Sequence, residues 1–288
     1  MNSPIEQQCV EFVGSVRLID DSLHPQNAQL MQALLSREPS LAVGECLPLL
    51  WHWLYFNDPI KSEDLKSDGH ERLGNFLPPV PYPKRMWAGS CIEFSQPLAI
   101  GETATKRSEI SSVLFKKGSS GKLCFVEVEH QIIQSERTCL TDRQTLVYRE
   151  PASSDTAAVD NPARSSTQLD RLLYQVSRER TLGSVDLFRY SALTFNSHRI
   201  HYDQDYSRQI EGYPNIVVHG PLMATLLVEH AQDLCNNQSI MRFEFRAVSP
   251  LFVEEPFCIA SREVEEGLEL LLIKKDNTIV VKSNVYWG

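Results

Sequence analysis

Followed for its apolar and polar positions, the chain divides into two stretches with a shared rhythm. In the first, QNAQLMQALL (26–35) and LPLLWHWLYF (47–56) have helical length and spacing. They are followed by MWAGSCIEFSQPL (86–98), ATKRSEISSVLFKK (104–117), LCFVEVEHQIIQ (123–134) and LTDRQTLVYRE (140–150), which alternate with the two-residue period of strands. In the second, VDLFRYSALTF (185–195) reads as a strand, and GPLMATLLVEHAQDLC (220–235) as a helix opened by Gly220 and Pro221. Residues 240–288 then read as antiparallel strands turning at 265–267 and 275–277. Between the two, REPASSDTAAVDNPARSST (149–167) loses all periodicity to Pro, Ser, Ala and Asp. The pattern predicts an α+β chain with a first unit over 1–150, a linker over 151–167 and a second unit over 168–288. Each unit is one apolar helix wrapped by an antiparallel sheet.

Composition narrows the partners. With 288 residues there is material for two packed units, and 42% hydrophobic against 23% charged residues is the balance of an ordinary globular chain. No apolar run is long enough to span a bilayer, so no membrane partner is expected. The opening MNSPIEQQCVEF has neither a basic segment leading into an apolar one nor the Arg-rich character of a transit peptide, which makes the cytoplasm the expected compartment. Seven scattered cysteines without a C-x-x-C pair read as reduced thiols. A net charge of −9 argues against a broad nucleic-acid surface, so an anionic ligand must meet a local basic patch.

The candidate chemistry is concentrated in FNSHRIHYD (195–203) and the following EGYPNIVVHGPL (211–222). His198-x-x-His201 with Asp203 can be read as a metal site, but i and i+3 in an extended segment point to different faces, and no metal is expected. Together the two motifs resemble the MaoC-like, R-specific enoyl-thioester hydratase family, whose signature runs roughly S/T-G-D-x-N-P-x-H-x-D and then G-F-x-x-x-I-x-H-G. In the first half, NFLPPVPYPKRMWAG (75–89), QPLAIGETATKRSEI (96–110) and LTDRQTLVYRE resemble the noncatalytic N-terminal unit of two-domain members. That group includes mesaconyl-C4-CoA and itaconyl-CoA hydratases and 3-hydroxyacyl-thioester dehydratases.

The resemblance implies a double hotdog fold, and it gives roles to individual residues. His201 falls on the catalytic histidine that exchanges a proton with the added water, a task suited to an ordinary pKa near 6.5. Asn196 falls where many members carry an aspartate, and an amide cannot take that proton. Gly220, preceded by Val218 and His219, falls where a backbone N–H at the start of the central helix polarises the thioester carbonyl. Such a helix terminus offers unpaired N–H groups and partial positive charge. His198 and Arg199 replace a neutral asparagine and proline, which favours an anionic acyl group held by a guanidinium fork, with Arg199 and Arg189 as candidates. Tyr202 and Asp203 join the pocket, Asp203 being able to orient His201, while PPVPYPKRMW (78–87) reads as a polyproline-like connection or as a rim of the acyl-CoA tunnel, with Lys84 and Arg85 near the phosphates and Trp87 on the pocket wall.

The implied activity is reversible hydration of an enoyl-CoA, with the coenzyme A thioester as substrate and no other cofactor. A C4-linked dicarboxylic acyl group, as in itaconyl-CoA or mesaconyl-C4-CoA, is the expected substrate. Dehydration of 3-hydroxyacyl thioesters in fatty-acid synthesis, a hotdog thioesterase and a noncatalytic acyl-CoA binder are the alternatives. Family members pair hotdogs into dimers, so a homodimer is one expectation, and two fused hotdogs sufficing alone is the other.

Overall fold

The computed structural model describes residues 3–118, 121–150, 169, 171–235 and 238–288, so the expected linker over 151–167 lies outside the described residues. The elements run α1 (Pro4–Val10), β1 (Val16–Asp21), α2 (Pro25–Leu34), β2 (Lys84–Phe94), β3 (Ala104–Gly118), β4 (Gly121–Gln134), β5 (Arg137–Arg149), β6 (Gln175–Val176), α3 (Ser184–Leu193), α4 (Gln204–Gln209), α5 (Gly220–Leu234), β7 (Ile240–Ala247), β8 (Phe257–Val264), β9 (Gly267–Lys274) and β10 (Ile279–Trp287). Among the described residues the strands form one sheet in the order β1-β3-β4-β5-β2-β7-β10-β9-β8-β6. Five strands from each half meet at the β2–β7 pair, so the halves share a single backbone ladder. They also share one apolar core, in which Leu23, Met31, Trp51 and Leu54 pack in the same cluster as Leu187, Tyr190, Leu227 and Phe243.

The central helix of the second half is α5. Leu222, Met223, Ala224, Leu226, Leu227, Val228 and Ala231 are all buried, an apolar surface on nearly every side that only enclosure by a sheet removes from water. Its counterpart α2 is only ten residues long. The segment 47–56, expected as a helix, is reduced to a 3-10 turn at Trp51–Leu54, because Leu50 and Phe56 on either side take left-handed backbone angles (φ 67° and 60°) that end a helix. The expected strand at 185–195 is helix α3. Leu187, Tyr190 and Ser191 are buried one turn apart, and the Asp186 carboxylate caps the start by accepting from the Gly183 N–H at 2.8 Å. β1, which no expectation included, adds a strand to the outer side of β3.

On the buried face of the N-terminal sheet, Ser108, His130 and Asp142 stand in register across β3, β4 and β5. The His130 Nδ1 and the Ser108 Oγ are 2.7 Å apart, and Asp142 Oδ2 accepts from Trp53 Nε1 at 3.0 Å and from Gln144 Nε2 at 2.8 Å. The core is therefore interrupted here by a polar row.

No helix among the described residues is long and apolar enough to cross a membrane. At the β2–β7 joint, a Cβ on Gly89 would stand 2.2 Å from the Phe245 carbonyl oxygen. Gly89→Ala must push the two halves apart there. We expect it to lower stability by about 1–3 kcal/mol, measured as a lower urea midpoint; an unchanged midpoint would show that the joint has slack.

Candidate active site

α3 delivers the chain into the motif loop. The Asn196 N–H returns to Ser191 O at 2.9 Å, and the Asn196 Oδ1 accepts from the His198 N–H at 3.0 Å, a local side-chain turn that fixes both residues. A single 3-10 turn, Arg199–His201, then buries His201. The ring Nδ1 lies 2.7 Å from Val217 O, and since a carbonyl only accepts, Nδ1 carries the hydrogen and Nε2 keeps the lone pair. His201 stacks on His219 with centroids 3.8 Å apart and planes 20° apart. His219 is wholly buried, its Nε2 is 2.8 Å from Ser191 Oγ, and the edge of Tyr190 closes on it at 5.0 Å. His219 is thus the support beneath His201.

The other wall of the loop comes from the N-terminal half. The Ser197 hydroxyl donates to Gly69 O at 2.5 Å, the Arg199 N–H to Asp68 O at 3.0 Å and the Arg199 Nη1 to Ser67 O at 3.1 Å. Gly69 has φ +90°, and a Cβ there would sit 1.9 Å from Ser197 O, so only glycine permits this approach. Two residues enter the site by this clamp. His70 lies against His198, with centroids 4.0 Å apart, and Asp68 Oδ2 stands 3.3 Å from His70 Nδ1 and 2.8 Å from Lys66 Nζ. His198 in turn meets His201 edge-on at 5.5 Å.

Burial sets the protonation of this group. It pushes His201 down to about 4, His70 to about 4 with Arg85 nearby adding to the effect, and His198 to about 2 with His70 and His201 as neighbours. His219 falls well below its ordinary value for the same reason. At neutral pH all four rings are uncharged. Burial alone would raise the Asp68 carboxyl, but His70 and Lys66 hold it well below the usual carboxylate range.

One large cavity is lined from both halves. His201, Asn196, His198, Tyr202, Val218, Gly220, Arg85 and Trp87 all face it, as do His70 and Asp68. The Gly220 N–H lies in the first turn of α5, where no intrahelical acceptor exists, and a Cβ on Gly220 would meet nothing within 4 Å. The space beside Gly220 is therefore open to the cavity. Trp87 is fixed by Nε1 donating to Gly89 O at 2.9 Å, and Arg85 makes no ion pair with a carboxylate among the described residues.

Four expected pocket residues stand elsewhere. Arg189 is exposed on α3, away from the cavity. Arg199 is committed to Asp203 Oδ2, at 3.0 Å from Nε and 2.7 Å from Nη2, and lies over the Tyr206 ring, so it is no fork for a ligand. Asp203 caps α4 through the Tyr206 N–H and does not touch His201, whose Nδ1 partner is a carbonyl instead. His219 supports the site from behind. His70 and Asp68 are not singled out by the sequence. Their only local signal is an Asp-Gly turn, and their partners lie far along the chain.

The family model for hydroxyacyl-thioester dehydratase type 2 matches residues 50–253. The chain is 38% identical to the mesaconyl-C(4)-CoA hydratase of Chloroflexus aurantiacus, over 96% of this chain and 97% of that protein. It is 31% identical to a mitochondrial hydroxyacyl-thioester dehydratase type 2 of Schizosaccharomyces pombe, over 74% and 77%. In fold it matches a Mycobacterium tuberculosis protein described as a double hotdog, with a TM-score of 0.61 at 14% identity over 96% of each chain. The α+β double hotdog expected from the sequence is therefore the fold.

Neutral buried histidines bind protons more weakly folded than unfolded. Their contribution to stability is complete above about pH 6.5 and is lost as pH falls towards 4. We expect unfolding between pH 6.5 and 4 to take up protons and the thermal midpoint to fall across that window. His201→Gln should flatten the fall, and an unchanged slope would contradict an uncharged His201.

Proposed function

The chain belongs to the hydroxyacyl-thioester dehydratase type 2 family, and from that premise we propose that it reversibly hydrates a C4-linked dicarboxylic enoyl-CoA, of the kind named in its Chloroflexus relative. The observation that carries the hydratase reading is the pairing of two groups on one cavity wall. His201 offers the lone pair of Nε2 with its other nitrogen tied to Val217 O, and Gly220 offers an unpaired N–H at the start of α5. The thioester carbonyl sits at the Gly220 N–H, which withdraws charge from the double bond. His201 Nε2 takes a proton from water as the oxygen bonds to Cβ, and charge gathers on the thioester oxygen. The imidazolium then returns that proton to Cα. One water has been added and His201 is neutral again.

The dicarboxylic preference rests on Arg85. It faces the same cavity close enough to depress His70 and His198, and among the described residues no carboxylate neutralises it. A guanidinium in that position is matched by an acyl carboxylate. Arg85 thus takes the role that Arg199 and Arg189 do not fill. The alternative, dehydration of 3-hydroxyacyl thioesters as named in the Schizosaccharomyces relative, uses the same groups in reverse.

The purified protein should remove the enoyl-thioester absorbance of mesaconyl-C4-CoA and give a product heavier by one water. His201→Ala should lower kcat by about 10²–10⁴. Arg85→Met should lower kcat/KM for mesaconyl-C4-CoA about tenfold or more while leaving crotonyl-CoA nearly unchanged. Free coenzyme A in place of a hydrated product would mark a thioesterase and end the hydratase reading. Equal loss on both substrates would end the role of Arg85.

A further inference from the structure

The second hydrogen of the attacking water needs an acceptor other than His201, and His198, which burial and its His neighbours push down to about 2, is a weaker base than His70 at about 4. Asn196, which stands where a carboxylate is usual, spends one Oδ1 lone pair on the His198 N–H, and its amide, being neutral, is a weaker acceptor than a carboxylate or an imidazole. Asp203, the nearest acid in sequence, is held by Arg199 and the Tyr206 N–H. His219 lies behind His201, bonded to Ser191 and outside the cavity wall.

We propose that His70, backed by Asp68 and carried into the site by the N-terminal half, is the second catalytic group, accepting the hydrogen of the nucleophilic water that is not transferred. The inference rests on the hydratase reading above. His70 Nδ1 is buried 3.3 Å from Asp68 Oδ2 without hydrogen-bond geometry, so the two are paired by proximity to charge, while the ring lines the cavity with His201 and His198. The carboxylate's charge favours the tautomer with the hydrogen on the nearer nitrogen, Nδ1, and the lone pair on Nε2. The Asp68 Oδ1 also accepts from the His70 N–H at 2.9 Å, so the pair is a fixed unit. His198 touches both rings, with centroids 4.0 Å from His70 and 5.5 Å from His201, so the three imidazoles form one continuous stretch of the cavity wall.

The proton count closes. One water hydrogen passes to His201 Nε2 and on to Cα. The other stays on the oxygen, hydrogen-bonded to His70 Nε2, and leaves as the product hydroxyl. His70 must be uncharged for this, as its burial beside Arg85 dictates. Lys66 and Arg85 are the cations that face this pair, and Asp68 is its anion.

The test measures kcat and KM on mesaconyl-C4-CoA and crotonyl-CoA for His70→Leu, His70→Gln and Asp68→Asn beside His201→Ala, with melting curves for each. We expect His70→Leu to lose about a hundredfold in kcat with KM within about threefold. His70→Gln, whose amide oxygen reaches the Nε2 position, should recover to within about tenfold of wild type. Asp68→Asn should fall between them, and imidazole added to His70→Ala should restore part of the rate. If His201→Ala is inactive while His70→Leu keeps its kcat, the inference fails alone. Equal losses in His70→Leu and His70→Gln would reduce His70 to packing and also overturn it. A wild-type protein that hydrates neither substrate would overturn the hydratase reading and this inference with it.

Discussion

The site depends on the enclosure of α5. A helix apolar on nearly all sides cannot lie on a surface, so β7, β9 and β10 pack against it and its first turn opens onto the cavity. At a surface, water would satisfy those leading N–H groups. On the cavity wall, where Gly220 is half-buried, its N–H is open to water or to a bound group. The same enclosure buries His219 at the helix cap, and the parallel face of that ring carries His201. Packing energy, at roughly 1.5–3 kcal/mol for each fully buried leucine, is thereby what fixes the position of a base and a carbonyl-binding donor.

The second dependence is between the halves. Two separate cores joined by a linker could move apart, but the β2–β7 ladder and the shared apolar cluster make them one body. On that footing the 66–70 segment can be held against the motif loop tightly enough that Gly69 has no room for a side chain. The N-terminal half, which the resemblance implies to be noncatalytic, supplies part of the cavity wall. Its geometry adds Arg85, His70 and Asp68 to the wall of the cavity, and the polar row across β3–β5 shapes the far part of the same space.

How much is legible in the sequence varies with the range of the interaction. α5 and the C-terminal meander are readable because an all-apolar helix and alternating strands are local patterns, and the motif loop because its residues are contiguous. α3 reads wrongly as a strand because Val185, Phe188 and Phe195 are exposed apolar residues that blur the buried face of Leu187 and Tyr190 into a strand-like alternation. The Arg199–Asp203 bridge is a four-residue spacing, recognisable as self-satisfied once the turn is drawn. His70 and Asp68 are out of reach. The contact between Ser197 and Gly69 that brings them in spans 128 residues, and no local period encodes it.

Charge explains how an amide at 196 and a ring of uncharged histidines fit together. A carboxylate at 196 would raise the neighbouring imidazoles and itself require a cation in a buried site. With Asn196 that demand disappears, and the histidines remain neutral chiefly through burial. Around the cavity wall at this point, Asp68 is matched by Lys66, while Arg85 has no matching anion among the described residues. This part of the wall thus carries one excess positive charge beside a set of neutral bases. An acyl carboxylate would cancel it on arrival, and by offsetting the cation that depresses His70 it would strengthen the ring nitrogens as acceptors at the moment water has to be held. With a dicarboxylic substrate of the kind proposed, charge and base strength would be coupled through that one guanidinium.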